Sequence, residues 1–205
     1  VIEAAKEAQV EHIFYTSAAM NPISEDAPLY KLMQDHVQTE IWIKESKLFH
    51  TFLRHNLYSE IMPMFIGPKE QLLAQKKIYL PAGDGLVPFA PRKELAEAGV
   101  NALMYPNSRL NAAYNFSGRE NVSMSLIAQY LSEITSTSIT YVSPEPAEYV
   151  ETMTNLGVPA PVIGMTTMFC EGIAKGVFET WMTDLNGVLE RKSTSAKDFL
   201  AAIYG

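Results

Sequence analysis

Apolar and polar positions follow two different periods in the first part of the chain. Over 29–46 the apolar residues Leu29, Leu32, Met33, Val37 and Ile41 recur at the spacing of one helix face. On either side, residues 10–16 (VEHIFYT) and 50–54 (HTFLR) are short runs rich in aromatic and β-branched side chains, which read as strands. Residues 1–9, with alanines and ion-pair support, read as a short helix. The order helix, strand, helix, strand with short connections predicts a parallel sheet built from βαβ units.

The pattern then loosens. Residues 57–77 mix apolar positions with Pro63, Gly67 and Pro68, which predicts short helical turns. The apolar runs 78–80 and 86–89 flank Gly83-Asp84-Gly85, which reads as a hairpin-like turn. Residues 92–105 follow Pro91 and predict a helix whose Leu95, Ala98, Gly99 and Ala102 suit close packing on a sheet. Residues 113–117 and 138–142 read as strands. The stretch 123–134 predicts a helix capped by Ser123, and 144–156 one ended by Gly157 and Pro159. Residues 161–185 read as mostly helical, and 196–204 as the closing helix.

Composition narrows the classes. Apolar residues make up 47% and charged residues 19%, as in a folded globular chain rather than a disordered one. A chain of 205 residues can bury a core unaided by disulfides or metals. Sixteen basic against 23 acidic residues give a net charge of -7 with no basic run. Phosphate contacts need clustered cations, so no nucleic-acid contact is expected. The single cysteine, Cys170, excludes an intrachain disulfide and a multi-cysteine zinc site, and it fits the reducing cytoplasm. No apolar run is long enough for a membrane span. The chain opens without methionine or a signal-peptide pattern, inside what reads as a helix, so a preceding part of a longer protein is expected.

Candidate chemistry is sparse. There is no G-x-G-x-x-G or G-x-x-x-x-G-K loop to cradle a pyrophosphate and no G-x-S-x-G nucleophile turn. The histidines His12, His36, His50 and His55 include no pair at helical ligand spacing, so no metal site is expected. Cys170, in an apolar helix, reads as a buried structural thiol. Ligands of open α/β sheets lie beyond the carboxyl ends of the strands. Two polar triplets stand there: Tyr15-Thr16-Ser17 and Arg54-His55-Asn56. His36 and Glu40 lie one helical turn apart beside them, either as part of the same cleft or as a surface ion pair.

Taken in order, these segments resemble the NmrA-like family of atypical short-chain dehydrogenase/reductases. AAKEAQVEHIFYTSA (4–18) resembles the family's AAK-x-AGV-x-H-x-x-YTS segment, and DHVQTE (35–40) its H-x-x-x-E segment. TFLRHNLYSE (51–60) resembles T-x-L-R-x-x-x-Y-x-E/N, and PAGDGLVPFAPRKELA (81–96) resembles GDG-x-x-x-x-x-x-R-x-DLA. YNFSG, LIAQYLSEIT and ERKSTSAKDFL continue the likeness. Bacterial NAD(P)H:quinone oxidoreductases, often labelled nucleoside-diphosphate-sugar epimerases, are the nearest in character. Family members begin with a strand, a glycine loop and further βα units. At ~30 residues per βαβ unit the difference is on the order of 80 residues, so this chain resembles the C-terminal two-thirds.

The resemblance implies an α/β fold: a Rossmann-like parallel sheet, without its N-terminal part, and a smaller C-terminal α/β lobe. Residues 1–60 and 92–118 would belong to the dinucleotide-binding domain, and 61–91 and 119–205 to the substrate lobe. It implies that Tyr15, Thr16, Ser17, His36, Arg54, Asn56 and Leu57 bind the cofactor, NADP or NAD. Tyr58 and Ser59 would border a small-molecule substrate. The activity implied is NAD(P)H-dependent hydride transfer to a quinone-like acceptor. A non-catalytic NAD(P) sensor with a protein partner and a nucleotide-sugar epimerase are the alternatives, and a homo-oligomer is compatible with each. The superfamily's Tyr-x-x-x-Lys pair is absent. Aligned on Glu40, the lysine position holds His36 and the tyrosine position Leu32. The Gly-Arg pair common near the family's C-terminal end is Glu190-Arg191 here.

Overall fold

The computed structural model describes residues 1–105 and 110–205; residues 106–109, inside the expected 92–118 segment, lie outside the described residues. A short helix α1 (Ile2–Glu7) leads into strand β1 (His12–Ala18). Helix α2 (Tyr30–Glu45) crosses over to strand β2 (Phe49–His55). Two short helices, α3 (Ile61–Ile66) and α4 (Lys69–Gln75), precede strand β3 (Lys77–Tyr79). Helix α5 (Arg92–Met104) and strand β4 (Ala112–Phe116) return to the first sheet. The lobe continues through α6 (Met124–Thr135), β5 (Thr140–Val142), α7 (Pro146–Asn155), α8 (Ala160–Ala174), α9 (Leu185–Leu189) and α10 (Ala196–Tyr204).

The first sheet has the order β1-β2-β4, and both pairings are parallel, as the βαβ order predicts. β1 starts two residues later than the apolar pattern suggests. The Val10 amide is drawn back to the Ala5 carbonyl at 2.9 Å, and Gln9 turns with φ of 54°, so the chain joins the ladder only at His12. Helix α2 forms where its period predicts, but it buries a different face. Met33, Glu40 and Ile43 are inside, with Leu29 ahead of them. Leu32, Val37 and Ile41 stay 39–43% exposed. A carboxylate on the buried face is what hydrophobic periodicity cannot show.

Two other expectations are corrected. Gly83-Asp84-Gly85 does not close a hairpin: β3 pairs in parallel with β5, while Val87 makes an isolated antiparallel bridge to Val122. Gly85 is needed for close approach, since a β-carbon there would collide with the Ile173 carbonyl. The stretch 161–185, expected to be mostly helical, is helical only as far as Ala174. α8 ends at Ala174, Gly176 takes φ of 71°, and α9 is a separate short helix.

Two apolar cores result. The larger lies in the lobe and joins Leu72, Ile78, Ile127, Leu131, Ile173 and Leu200. The smaller lies under the sheet between β2, β4, α5 and α9, where Leu53, Leu95, Phe116, Leu185 and Leu189 meet. α9, in the segment expected to belong to the lobe, therefore packs on the sheet. No helix among the described residues is long and apolar enough to cross a membrane.

Candidate functional site

Parallel register assembles the site. Ser17 of β1 stands opposite Arg54 of β2, and Arg54 opposite Asn115 of β4, so the three form one row across the sheet. Alternation turns that row toward α2, together with Tyr15 and Phe52 one step back. The row lines a cleft of about 380 Å³ whose other walls are Ala18, Ala19, Met20, Pro22 and, from α2, Met33, Gln34, His36, Val37 and Glu40. It opens at the carboxyl ends of the strands, where doubly wound sheets bind ligands.

Two polar links fix its geometry. Arg54 donates from Nε to Glu40 Oε1 at 2.9 Å and from Nη2 to Oε2 at 2.6 Å, a two-pronged pair that ties α2 to β2. Burial alone would raise the Glu40 carboxyl. Hydrogen bonds from Arg54 and Ser17, with the charges of Arg54 and Lys44, hold it below the usual carboxylate range. The second link joins the Tyr15 hydroxyl to His36 Nδ1 at 2.9 Å. It fixes the imidazole through one nitrogen and leaves Nε2 as the atom for an outside partner. Of the two alternatives for His36 and Glu40, the structure has the shared cleft rather than the surface ion pair: both line it with Ser17, and each bonds its own partner on the sheet.

The remaining expected residues are more scattered. Thr16 points to the opposite face from Ser17 and is exposed. Asn56 is 4% exposed and donates from Nδ2 to the Phe178 carbonyl at 2.9 Å, while its Oδ1 accepts from the Leu57 amide. It lines a second hollow of about 160 Å³ with Ala19, Met20, Asn21, Asn115 and Met182. Leu57 packs against the lobe core. Tyr58 lies under the Arg92 guanidinium at 5.0 Å, and Ser59 is 1% exposed with its amide on the Ala90 carbonyl. Neither Tyr58 nor Ser59 lines either hollow. His55, one residue past Arg54, stacks on Phe116 and edges onto Tyr58 on the opposite face, and burial pushes its imidazole down to about 4.

Sequence reasoning missed Asn115 and the loop after α8. Asn115 is a lone amide in an otherwise aromatic strand (AYNF), and that was its signal. The loop read as helix. It crosses the strand ends as a strap, held by carbonyl contacts to three asparagines. A larger cleft of about 860 Å³ lies in the lobe, among α3, α4, β3, α7 and α8. It is roomier, but it holds none of the expected residues and does not open at the strand ends of the first sheet. Location decides for the smaller cleft. No group of His, Cys, Asp and Glu among the described residues could hold a metal ion.

The cleft fits one half of a dinucleotide better than the other. Hydroxyls, amides and an imidazole suit a ribose and a neutral ring. The one guanidinium in the cleft lining, that of Arg54, is already taken by Glu40.

A three-stranded parallel sheet with crossover helices and its site at the strand ends is a Rossmann-like α/β fold. No family model matches the chain. It is 31% identical over 155 residues to an NmrA-like family domain-containing oxidoreductase of Aspergillus flavus, covering 74% of this chain and 47% of that protein. It is 26% identical over 176 residues to quinone oxidoreductase 2 of Escherichia coli, covering 86% of this chain and 59% of that one. The solved triphenylmethane reductase of Citrobacter sp., in complex with NADP(H), superposes with a TM-score of 0.85 at 28% identity, covering 99% of this chain and 68% of that one. The chain is a homologue of the NmrA-like oxidoreductases. It spans 47%, 59% and 53% of the lengths of the three curated relatives it matches.

Proposed function

We propose that this chain is the sheet-and-lobe part of an NAD(P)H-dependent reductase that passes hydride to a quinone-like small molecule. Residues 1–60 and 92–118 would form the remainder of the dinucleotide-binding domain, with 61–91 and 119–205 as the substrate lobe. The observation that carries the reading is the row Ser17–Arg54–Asn115 beside the Tyr15–His36 couple at the strand ends. The cofactor named on the relatives supplies the hydride; the residues here bind and orient. His36 Nε2 would meet a ribose hydroxyl, with Tyr15 holding the ring. Ser17 offers a hydroxyl on the cleft floor. Arg54 and Glu40 act as positioning residues. Asn56 and Leu57 border the adjoining hollow and its lobe side.

The chemistry asked of the chain is light. Reduction of a quinone to a hydroquinone would take one hydride, which a bound nicotinamide cofactor would supply, and one proton from solvent, so charge and electrons balance. Orientation of the two rings then supplies most of the rate. Sugar-nucleotide epimerisation asks more, because a base must take a hydroxyl proton as hydride leaves. The position where the superfamily places that base is Leu32, which lies outside the cleft lining. Epimerase activity is therefore not expected.

The test is the full-length native protein with NADPH or NADH and a quinone panel, followed by nicotinamide absorbance. Acceptor-dependent oxidation supports the reading. Tight cofactor binding with no oxidation by any acceptor overturns it in favour of a sensor. Within an active protein, His36→Ala is expected to raise KM for the cofactor about fivefold, the loss of about one hydrogen bond, with hydride transfer retained.

A further inference from the structure

The strap after α8 carries two large apolar side chains in an unusual setting. Trp181 is 80% exposed and Met182 72% exposed. Mobile tips often expose such residues, but this backbone is tied on both sides of them. Asn21 donates from Nδ2 to the carbonyls of Gly176 and Glu179, both at 2.8 Å, and Asn56 to that of Phe178. Asn121 donates to the Thr180 carbonyl at 2.8 Å. Beyond the tip, Thr183 donates to the Ser117 carbonyl at 2.6 Å, and Asp184 exchanges backbone and side-chain bonds with Asn115. Within the tip, the Thr180 hydroxyl accepts from the Met182 amide at 3.1 Å.

The anchors place the tip at the ligand end of the sheet. Asn56 follows β2, while Asn115 and Ser117 lie at the end of β4. Met182 and Met20 both line the hollow of about 160 Å³. That hollow shares Ala19, Met20 and Asn115 with the larger cleft of Ser17 and His36. Two thioethers line this hollow, and the exposed Trp181 indole is the neighbour of Met182 in the chain, a set of surfaces that suits a flat ring. Methionine adapts to aromatic faces, and tryptophan offers a broad face at low entropic cost.

We infer that Met182 and Trp181 on the strap, with Met20 in the same hollow as Met182, are the specificity-determining surface that holds the flat apolar part of the electron acceptor. This rests on the reductase reading and deepens it. It moves the acceptor from the surroundings of Tyr58 and Ser59, which line neither hollow, to the strap side of the strand ends. Trp181 and Met182 line no part of the cleft of Ser17 and His36, so cofactor binding is expected not to depend on them.

The test separates this inference from the reading beneath it. In the full-length native protein, Trp181→Ala and Met182→Ala are compared with wild type on a two-ring quinone. The expected result is a rise in acceptor KM of about fivefold, the scale of one lost aromatic contact, with cofactor KM unchanged. Trp181→Phe restores most of the affinity. Both residues are exposed, so neither change threatens folding; a circular dichroism melt checks this. If wild type reduces quinones and the alanine variants keep its acceptor KM, the inference is overturned while the reading stands. If wild type reduces nothing, the reading falls. Quenching then decides the inference: in a full-length variant that keeps Trp181 as its sole tryptophan, the same quinone either quenches Trp181 fluorescence saturably, with Met182→Ala weakening it, or does not and the inference falls too.

Discussion

The lobe and the sheet side of this molecule are held by different kinds of force. Around α6, α8 and α10 the lobe is dry: Met124, Ile127, Leu131, Ile173 and Leu200 are at most 1% exposed. Around β1 and α2 the picture reverses. α1 buries nothing, Ser17 is the buried residue of β1, and Trp42 on α2 is 55% exposed. What fixes this region is directional: the parallel ladder to β2, the Arg54–Glu40 pair and the Tyr15–His36 bond. Apolar burial supplies stability in quantity but little orientation, whereas polar links supply orientation and less stability. The candidate site stands where orientation matters.

Four measurements would break or sharpen that contrast. Leu131→Ala, in the lobe core, is expected to cost about 3–4 kcal/mol in urea unfolding, because the vacated volume stays partly empty. A cost under about 1 kcal/mol would show that the lobe is not the dry anchor described.

The sheet side should dominate the response to acid. His55 is held neutral by burial, its pKa lowered from 6.5 to about 4, and its Nε2 has no hydrogen-bond partner. As pH falls from about 6.5 to about 4, the unfolded chain takes up a proton that the folded chain refuses. Stability therefore declines across that window, by on the order of 3 kcal/mol in total, and this contribution levels off below it. Glu40 adds a second loss at lower pH, since its depressed carboxyl stabilises only while ionised. Melting curves at stepped pH should lose the upper slope in His55→Phe; a slope unchanged in that variant would assign the acid response elsewhere.

Glu40→Gln is expected to cost about 2 kcal/mol, below the range for a fully buried pair because Arg54 is 33% exposed. Hydrogen exchange should quicken in β1 and α2 and not in α6 or α8. Uniform quickening would mean that the two regions open together. The smallest effect is expected from His36→Phe, about 1 kcal/mol for one hydrogen bond, again confined to β1 and α2 by exchange.

The sheet side was also the easier to read from sequence. Strand runs and a sixteen-residue helix carry strong periodicity, and parallel pairing follows from their order. Parallel strands bring both polar triplets to the same end of the sheet, and the register observed in the structure sets Ser17 opposite Arg54. The partners of that row were not legible. Helical spacing leaves open whether His36 and Glu40 pair with each other or share the cleft, and the actual partner of Glu40 is Arg54, fourteen residues away in sequence and set by tertiary packing. The same limit applied to the strap. An apolar run such as 161–185 reads as helix until long-range asparagine contacts, which no local pattern contains, draw its end across the sheet. The hairpin at 83–85 failed for a related reason. Asp-Gly marks a turn but not the partner of the strand that leaves it, and β3 found β5 some sixty residues on.

One feature of the sheet has a consequence for the behaviour of this polypeptide in solution. In the order β1-β2-β4, one flank of β1 has no neighbouring strand among the described residues. Amides and carbonyls on that flank face outward in a row, and the seven residues HIFYTSA contain neither the lysine nor the proline that blunts such a margin. The flank is adhesive along a single line. Concentrated samples of these 205 residues should gain extended structure and mass with time, and a short peptide able to lie along β1 should slow both.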